Sequence, residues 1–187
     1  KTLTPIWTGG VDSRTCDRIH ETGIIGSLRW WYESIVRGLG GYACDPTGRN
    51  KEERCPDKNN NHCAVCEVFG CTDWSRKFIL KMLNNNELLL TSLKERKDYT
   101  VFLKEIKYFA EEEKWLIAKS FEIIAKYGSI GGKTVNKPSK NSQKQMELHH
   151  KDYGLLDPNI EVLFKFKQFS QAEIKNYFDK FNPLKEN

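Results

Sequence analysis

An α+β fold whose elements run strand, helix, strands, helix, strand is what this sequence predicts, and three observations predict it. Two stretches, around residues 26–39 and 111–125, place apolar side chains at helical spacing. Short stretches at residues 2–7, 76–83, 87–93, 99–106 and 161–166 alternate with the two-residue period of strands. Glycine-rich or strongly polar segments separate them. That order is the βαββαβ of a ferredoxin-like unit.

Residues 2–7 alternate, and Gly9-Gly10 ends the strand. Residues 11–25 are polar, with His20, Glu21 and Gly23, and are expected as an ordered loop. From Gly26 onward Leu28, Trp31, Tyr32, Ile35, Val36 and Leu39 form a helical stripe; Ser27 is placed to cap it, and Gly38, Gly40 and Gly41 to end it. Residues 42–75 hold Asp, Asn, Pro, Gly and cysteines without an apolar period, so a Cys-rich insertion with no core element is expected there. Residues 76–83 alternate, Asn84-Asn85-Asn86 turns the chain, and residues 87–93 and 99–106 supply further strands. Glu111-Glu112-Glu113 then sets negative charge at the positive end of a helix dipole. Leu116, Ile117, Phe121, Ile124 and Ala125 make that helix's buried stripe, and Gly128 stops it. Residues 133–152 are almost free of apolar side chains and are expected as a flexible loop. Residues 161–166 are expected as the last strand and residues 170–182 as a C-terminal helix. The 187 residues are expected to form one domain.

Composition narrows the function classes. With 39% hydrophobic and 29% charged residues, the chain reads as a globular protein rather than a disordered one. No apolar run approaches the roughly 20 residues of a membrane span, so no membrane partner is expected. The start turns polar at once and lacks the apolar region of a signal peptide, which predicts a cytosolic location. A net charge of +5 is mild, but has the sign expected of a nucleic-acid partner.

Four segments carry chemistry. In Gly26-Ser27-Leu28-Arg29-Trp30-Trp31 the adjacent indoles point about 100° apart, so one of them lies at a groove or subunit contact. Arg29 beside an exposed aromatic suits a phosphate and a stacked base; a salt-bridged Arg29 on an amphipathic helix is the structural alternative. Gly128-Ser129-Ile130-Gly131-Gly132-Lys133-Thr134 invites a P-loop reading, but three residues instead of four separate Gly128 from Gly132, and a helix precedes the glycines where a strand should. A glycine turn remains, serving either as a helix C-cap or as a close approach to a phosphodiester with Lys133 as a point charge.

The third segment is cysteine-rich, since five of the six cysteines fall between Cys44 and Cys71. Cys63 and Cys66 have the two-residue spacing that brings two thiolates onto one zinc, and Cys44 with Cys55 completes a tetrahedral set, with His62 and Cys71 as spare candidates. Free thiols are the alternative, and disulfides do not suit a reducing compartment. Four protein ligands leave no open position, so the expected zinc is structural and holds the insertion. Fourth, His20 lies near Asp17 and Glu21 and could act as general base on a ribose 2′-OH, although a surface histidine is the commoner case.

Together these segments resemble a known family. Leu3-Thr4-Pro5-Ile6-Trp7-Thr8-Gly9-Gly10 followed by Gly26-Ser27-Leu28-Arg29-Trp30-Trp31 is similar to the opening of the first-numbered Cmr-type subunit of type III-B CRISPR complexes, within the RAMP (repeat-associated mysterious protein) superfamily. Cys63-Ala64-Val65-Cys66-Glu67-Val68-Phe69-Gly70 resembles the family's Leu/Val-Phe-Gly segment. Residues 128–134, resuming at Tyr153-Gly154, resemble its glycine-rich loop. The resemblance implies an RRM-like ferredoxin fold, a CRISPR guide RNA and a target RNA as ligands, and other Cmr-type RAMP subunits as partners. It further implies a non-catalytic subunit capping one end of a backbone filament near the guide's 3′ region. Family members usually carry two such domains, whereas this length suits one plus insertions, which fits either a fragment or a truncated form of such a subunit. On this reading Arg14, Arg18, Arg29, Arg37 and Lys133 contact phosphates, Gly131 and Gly132 let the RNA approach, and Trp30 or Trp31 offers a stacking face or a subunit contact. The enzymatic alternative is a Cas6-like, metal-independent endoribonuclease using His20.

Overall fold

The computed structural model describes residues 1–12, 16–48, 53–84, 87–88, 98–134 and 153–181. Its elements are α1 Glu21–Gly38, α2 Ala64–Phe69, β1 Phe78–Asn84, β2 Glu87–Leu88, β3 Thr100–Glu105, α3 Glu111–Tyr127 and α4 Gln171–Asp179. The protein is thus a mixed α+β chain. Its sheet has the order β2-β1-β3, and the β1–β2 hairpin is antiparallel, with Leu83 opposite Leu88 and Asn84 opposite Glu87. In β1 the buried side chains are Phe78, Leu80 and Met82, every second residue, because one strand face is covered.

Two compact units make up the chain. The first comprises Lys1–Leu28, Leu80–Leu103 and Phe121–Glu161. In it the N-terminal segment lies along two later segments. Thr2 bridges Leu156 in antiparallel sense, and Leu3 N–H donates to Leu155 O at 2.9 Å. Gly154 N–H reaches Pro5 O at 2.8 Å and Gly132 N–H reaches Trp7 O at 2.7 Å. Ile6, Ile19, Ile24, Leu28, Ile124 and Ile130 are among its buried aliphatic side chains.

The second unit comprises Arg29–Ile79, Lys104–Ser120 and Val162–Asn187. Tyr32, Phe69 and Phe78 pack edge to face in series, with ring centroids 5.3 and 5.5 Å apart. Val36, Leu116, Ile117, Ile174 and Phe178 are buried in the same unit. α4 begins at a capping box, in which Ser170 Oγ accepts from Glu173 N–H while Glu173 accepts from Ser170 N–H.

Several expectations need correcting. α1 starts at Glu21 rather than Gly26, because Gly23 serves as a contact point and not as a breaker. A Cβ at Gly23 would stand 2.9 Å from Thr8 Cβ, so the missing side chain is what lets residue 8 approach the helix. Residues 42–75 do contain a core element: Ala64, Val65, Cys66, Val68 and Phe69 of α2 are all buried. Residues 161–166 form no strand, and Leu163 is 74% exposed, because alternation supplies a face but not a partner. The N-terminal segment is bridged by Leu156 instead, through an isolated antiparallel bridge at Thr2 rather than the expected strand over residues 2–7. Residues 89–93 of the expected hairpin, residues 135–152 of the expected loop and residue 182 of the expected C-terminal helix lie outside the described residues.

Candidate functional site

The second unit contains a cluster of four thiols. One sulfur each from Cys44, Cys55, Cys63 and Cys66 lies within 4.8 Å of every other, with Cys44, Cys63 and Cys66 buried and Cys55 half-buried. Two of the four frame α2: Cys63 is its N-cap and Cys66 lies in its first turn, so the helix sets their spacing. Cys44 follows the turn after α1, and Cys44 Sγ stands 3.5 Å from Cys66 Sγ. The edge of a tetrahedron with zinc–sulfur bonds of about 2.3 Å is about 3.8 Å, so this pair is already close to the required separation. The cysteines are free thiols.

Electrostatics favour a bound cation. Hydrogen bonds from Cys44, Cys55 and Cys66 hold the Cys63 thiol far below the ordinary range. Cys55 and Cys66, hydrogen-bonded first to Cys44, are pushed well up. The Cys44 thiol is held down as well, by Cys55 first, and a divalent ion would stabilise all four sulfurs as thiolates. The donor set, its spacing and its burial fit zinc in a closed, structural site. Bound there, the ion would supply a cross-link between the segment after α1 and α2.

Around these sulfurs the polar side chains are closely paired. Arg29 Nε donates to Glu33 Oε1 at 2.8 Å, its Nη1 to Gly70 O at 2.9 Å, and its Nη2 to Cys66 Sγ at 3.3 Å and Cys44 Sγ at 3.8 Å. Burial works against its charge but is outweighed by Glu33 and Cys66, and the guanidinium is held even more firmly protonated. Beyond α2, Lys77 Nζ bonds Glu113 at 2.8 and 2.9 Å and Glu67 at 2.6 Å, and Tyr177 OH donates to Glu113 at 2.6 Å. His62 pairs with the other oxygen of Glu67 and stacks on Trp74, ring centroids 4.6 Å apart. Tyr32 OH, fully buried, is the buried side-chain polar atom left without a hydrogen bond among the described residues.

The other expected site residues distribute as follows. Gly131, Gly132 and Lys133 belong to the first unit, just beyond the end of α3. Gly131 has φ +95°, and a Cβ there would meet Trp7 O at 2.6 Å, so the turn is possible only without a side chain. Lys133 Nζ lies 4.2 Å from the Trp7 ring centroid, a cation–π contact. In the same unit His20 Nε2 sits 3.0 Å from Asp17 Oδ1, and Arg18 is exposed. Within the second unit, Trp30 is 58% exposed and edge-on to Trp31. Arg37 is exposed and donates to Ala43 O and Cys44 O. Arg14 lies outside the described residues.

Sequence reasoning missed two partners. It did not connect Arg29 to the cysteines, although the i,i+4 spacing to Glu33 marks a fixed guanidinium. Nor did it pair Trp7 with Lys133, for which no local signal exists.

Fold and site thus define a mixed α+β protein with a four-thiol centre in one unit and a glycine turn closing over the N-terminal segment in the other. A family model of the RAMP superfamily matches residues 1–136, and the chain belongs to that superfamily. No curated protein matches the sequence. No helix among the described residues is long and apolar enough to cross a membrane.

Proposed function

We propose that this chain is a non-catalytic, RNA-binding subunit of a type III-B CRISPR effector complex of the Cmr type, binding guide and target RNA beside other RAMP subunits in antiviral defence. The observation that carries the reading is the superfamily match, which spans α1, the cysteine segment and the glycine turn in one stretch. RAMP domains are associated with CRISPR RNA-binding complexes. A ferredoxin-like βαββαβ domain is the fold that goes with it. In such a unit the first and last strands are neighbours, and the antiparallel bridge between Thr2 and Leu156 supports that arrangement.

Arg14, Arg18, Arg37 and Lys133 are the proposed phosphate contacts, with Gly131 and Gly132 allowing close approach and Trp30 as the stacking face. The exposure of Arg18, Arg37 and Trp30 supports their part in this. Zinc at the four cysteines is proposed as structural, and the location as cytoplasmic.

A filter-binding titration at several salt concentrations tests the reading. Lys133→Ala is expected to weaken RNA binding about equally across sequences and to reduce the salt slope by about one. No RNA binding by the unmodified chain would leave an assembly module in its place. The rival ribonuclease is separated by incubating labelled repeat RNA in EDTA with the native protein and His20→Ala. Neither should cut; cleavage lost with His20 would replace this proposal with a Cas6-like enzyme.

A further inference from the structure

We propose that Arg29 is the outer-sphere partner of the metal centre, offsetting part of the thiolate charge of the loaded Cys44, Cys55, Cys63 and Cys66 site, and that it does not contact an RNA phosphate. The inference rests on those four thiols taking a metal ion. A divalent cation with four thiolates has two negative charges in excess, and a site this buried requires their compensation. Among the described residues, Arg29 is the cation that touches the sulfurs. Its Nη2 lies 3.3 Å from Cys66 Sγ and 3.8 Å from Cys44 Sγ.

The rest of the guanidinium is also committed. Nε holds Glu33 at 2.8 Å, one helical turn along α1, and Nη1 holds the carbonyl of Gly70 at 2.9 Å. Gly70 is the C-cap of α2, the helix framed by Cys63 and Cys66. One planar fork therefore ties α1 to the end of α2 and to two of the four sulfurs. The side chain is only 17% exposed, which leaves little surface for a phosphate. Glu33 is itself steadied by Arg37 at 3.8 Å, so the charges nearest the sulfurs sum to one positive.

Two chemical consequences follow. Hydrogen bonds from N–H to a thiolate lower the energy of the sulfur lone pairs, and they orient the ligands that receive them. A lysine would supply the charge but not the fork, and could not reach both sulfurs while holding Gly70. The class of ion is a tetrahedral, thiolate-accepting divalent metal, and zinc and cobalt are the probes.

The full chain, stripped of metal and reloaded with Co²⁺, tests this by absorption, followed by competition with Zn²⁺. The native protein should take up about one equivalent with the ligand-field bands of a tetrahedral site. Arg29→Ala should move the sulfur-to-cobalt charge-transfer band to lower energy and weaken Zn²⁺ retention by about 10- to 100-fold, the usual effect of losing an outer-shell partner. At saturating Zn²⁺ that variant should keep the native salt slope for RNA, whereas a slope lower by about one would place Arg29 on a phosphate. A native band energy together with native affinity in Arg29→Ala overturns the proposal. Should Arg29→Ala not fold, Arg29→Lys decides, since a shifted band supports the fork and a native band refutes it. No Co²⁺ uptake by the native chain would remove the metal centre itself, and the RNA titration would stand apart from that result.

Discussion

Cys66 lies in the first turn of α2, fully buried, with Cys44 Sγ and the Arg29 guanidinium against its sulfur. Cys66→Ser removes a soft ligand and should abolish retention of zinc through purification, which elemental analysis would show. With free zinc at a thousand times its dissociation constant, the native chain should gain about 4 kcal/mol over the metal-free form and the variant should gain almost nothing. A native-like zinc content in Cys66→Ser would exclude the residue from the centre. Lys77 poses a different problem, because it shares a buried site with Glu113, whose side chain is 1% exposed. Lys77→Met leaves that carboxylate without its cation and should cost about 3–5 kcal/mol in a urea titration. Burial pulls the lysine down, but Glu113 and Glu67 outweigh it and hold its pKa above 10.5. The sign follows: the contribution is complete below the unfolded value and is lost as pH rises through the folded one. The stability gap between native protein and Lys77→Met should therefore be level at neutral pH and narrow only in strong alkali; a gap that widens there would refute the ion pair.

At the scale of elements, α1 offers an internal comparison. Gly26 faces open space, so Gly26→Ala should stabilise by up to about 1 kcal/mol through helix propensity. Gly23 faces Thr8 at 2.9 Å, so Gly23→Ala should lose about 1–3 kcal/mol despite the same propensity gain. Urea midpoints moving in the same direction for both variants would show that Thr8 does not pack as described. The stripe Leu28, Tyr32 and Val36 was readable because its period is local. The first turns of α1 were not readable, since two glycines look like a break until the neighbour that requires one of them is known. α2 was missed for a related reason. Six residues cannot sustain a helix alone, and this one is held from outside, by Lys77 N–H on Val68 O, by Trp74 Nε1 on Glu67 O and by Arg29 on Gly70 O.

For the molecule as a whole, the sequence by itself determined the α+β class, the start of α3 and, to within three residues, the bounds of α4, the membership suggested by its motifs, and the four cysteines that meet. The membership rests on a resemblance of motifs spread along the chain, whereas the class, the helices and the cysteine set rest on periodicity or spacing within a few tens of residues, and side-chain direction repeats with the backbone over that range. Tertiary structure alone decided the rest. Arg29 meets Cys66 across 37 positions, Lys77 meets Glu113 across 36, Tyr177 meets Glu113 across 64, and Leu155 N–H finds Thr4 across 151. A period states which face of an element is apolar, but not which distant backbone or charge will be set against it. That choice follows from burying apolar surface while leaving few buried polar groups without a partner, the Tyr32 hydroxyl being the exception among the described residues.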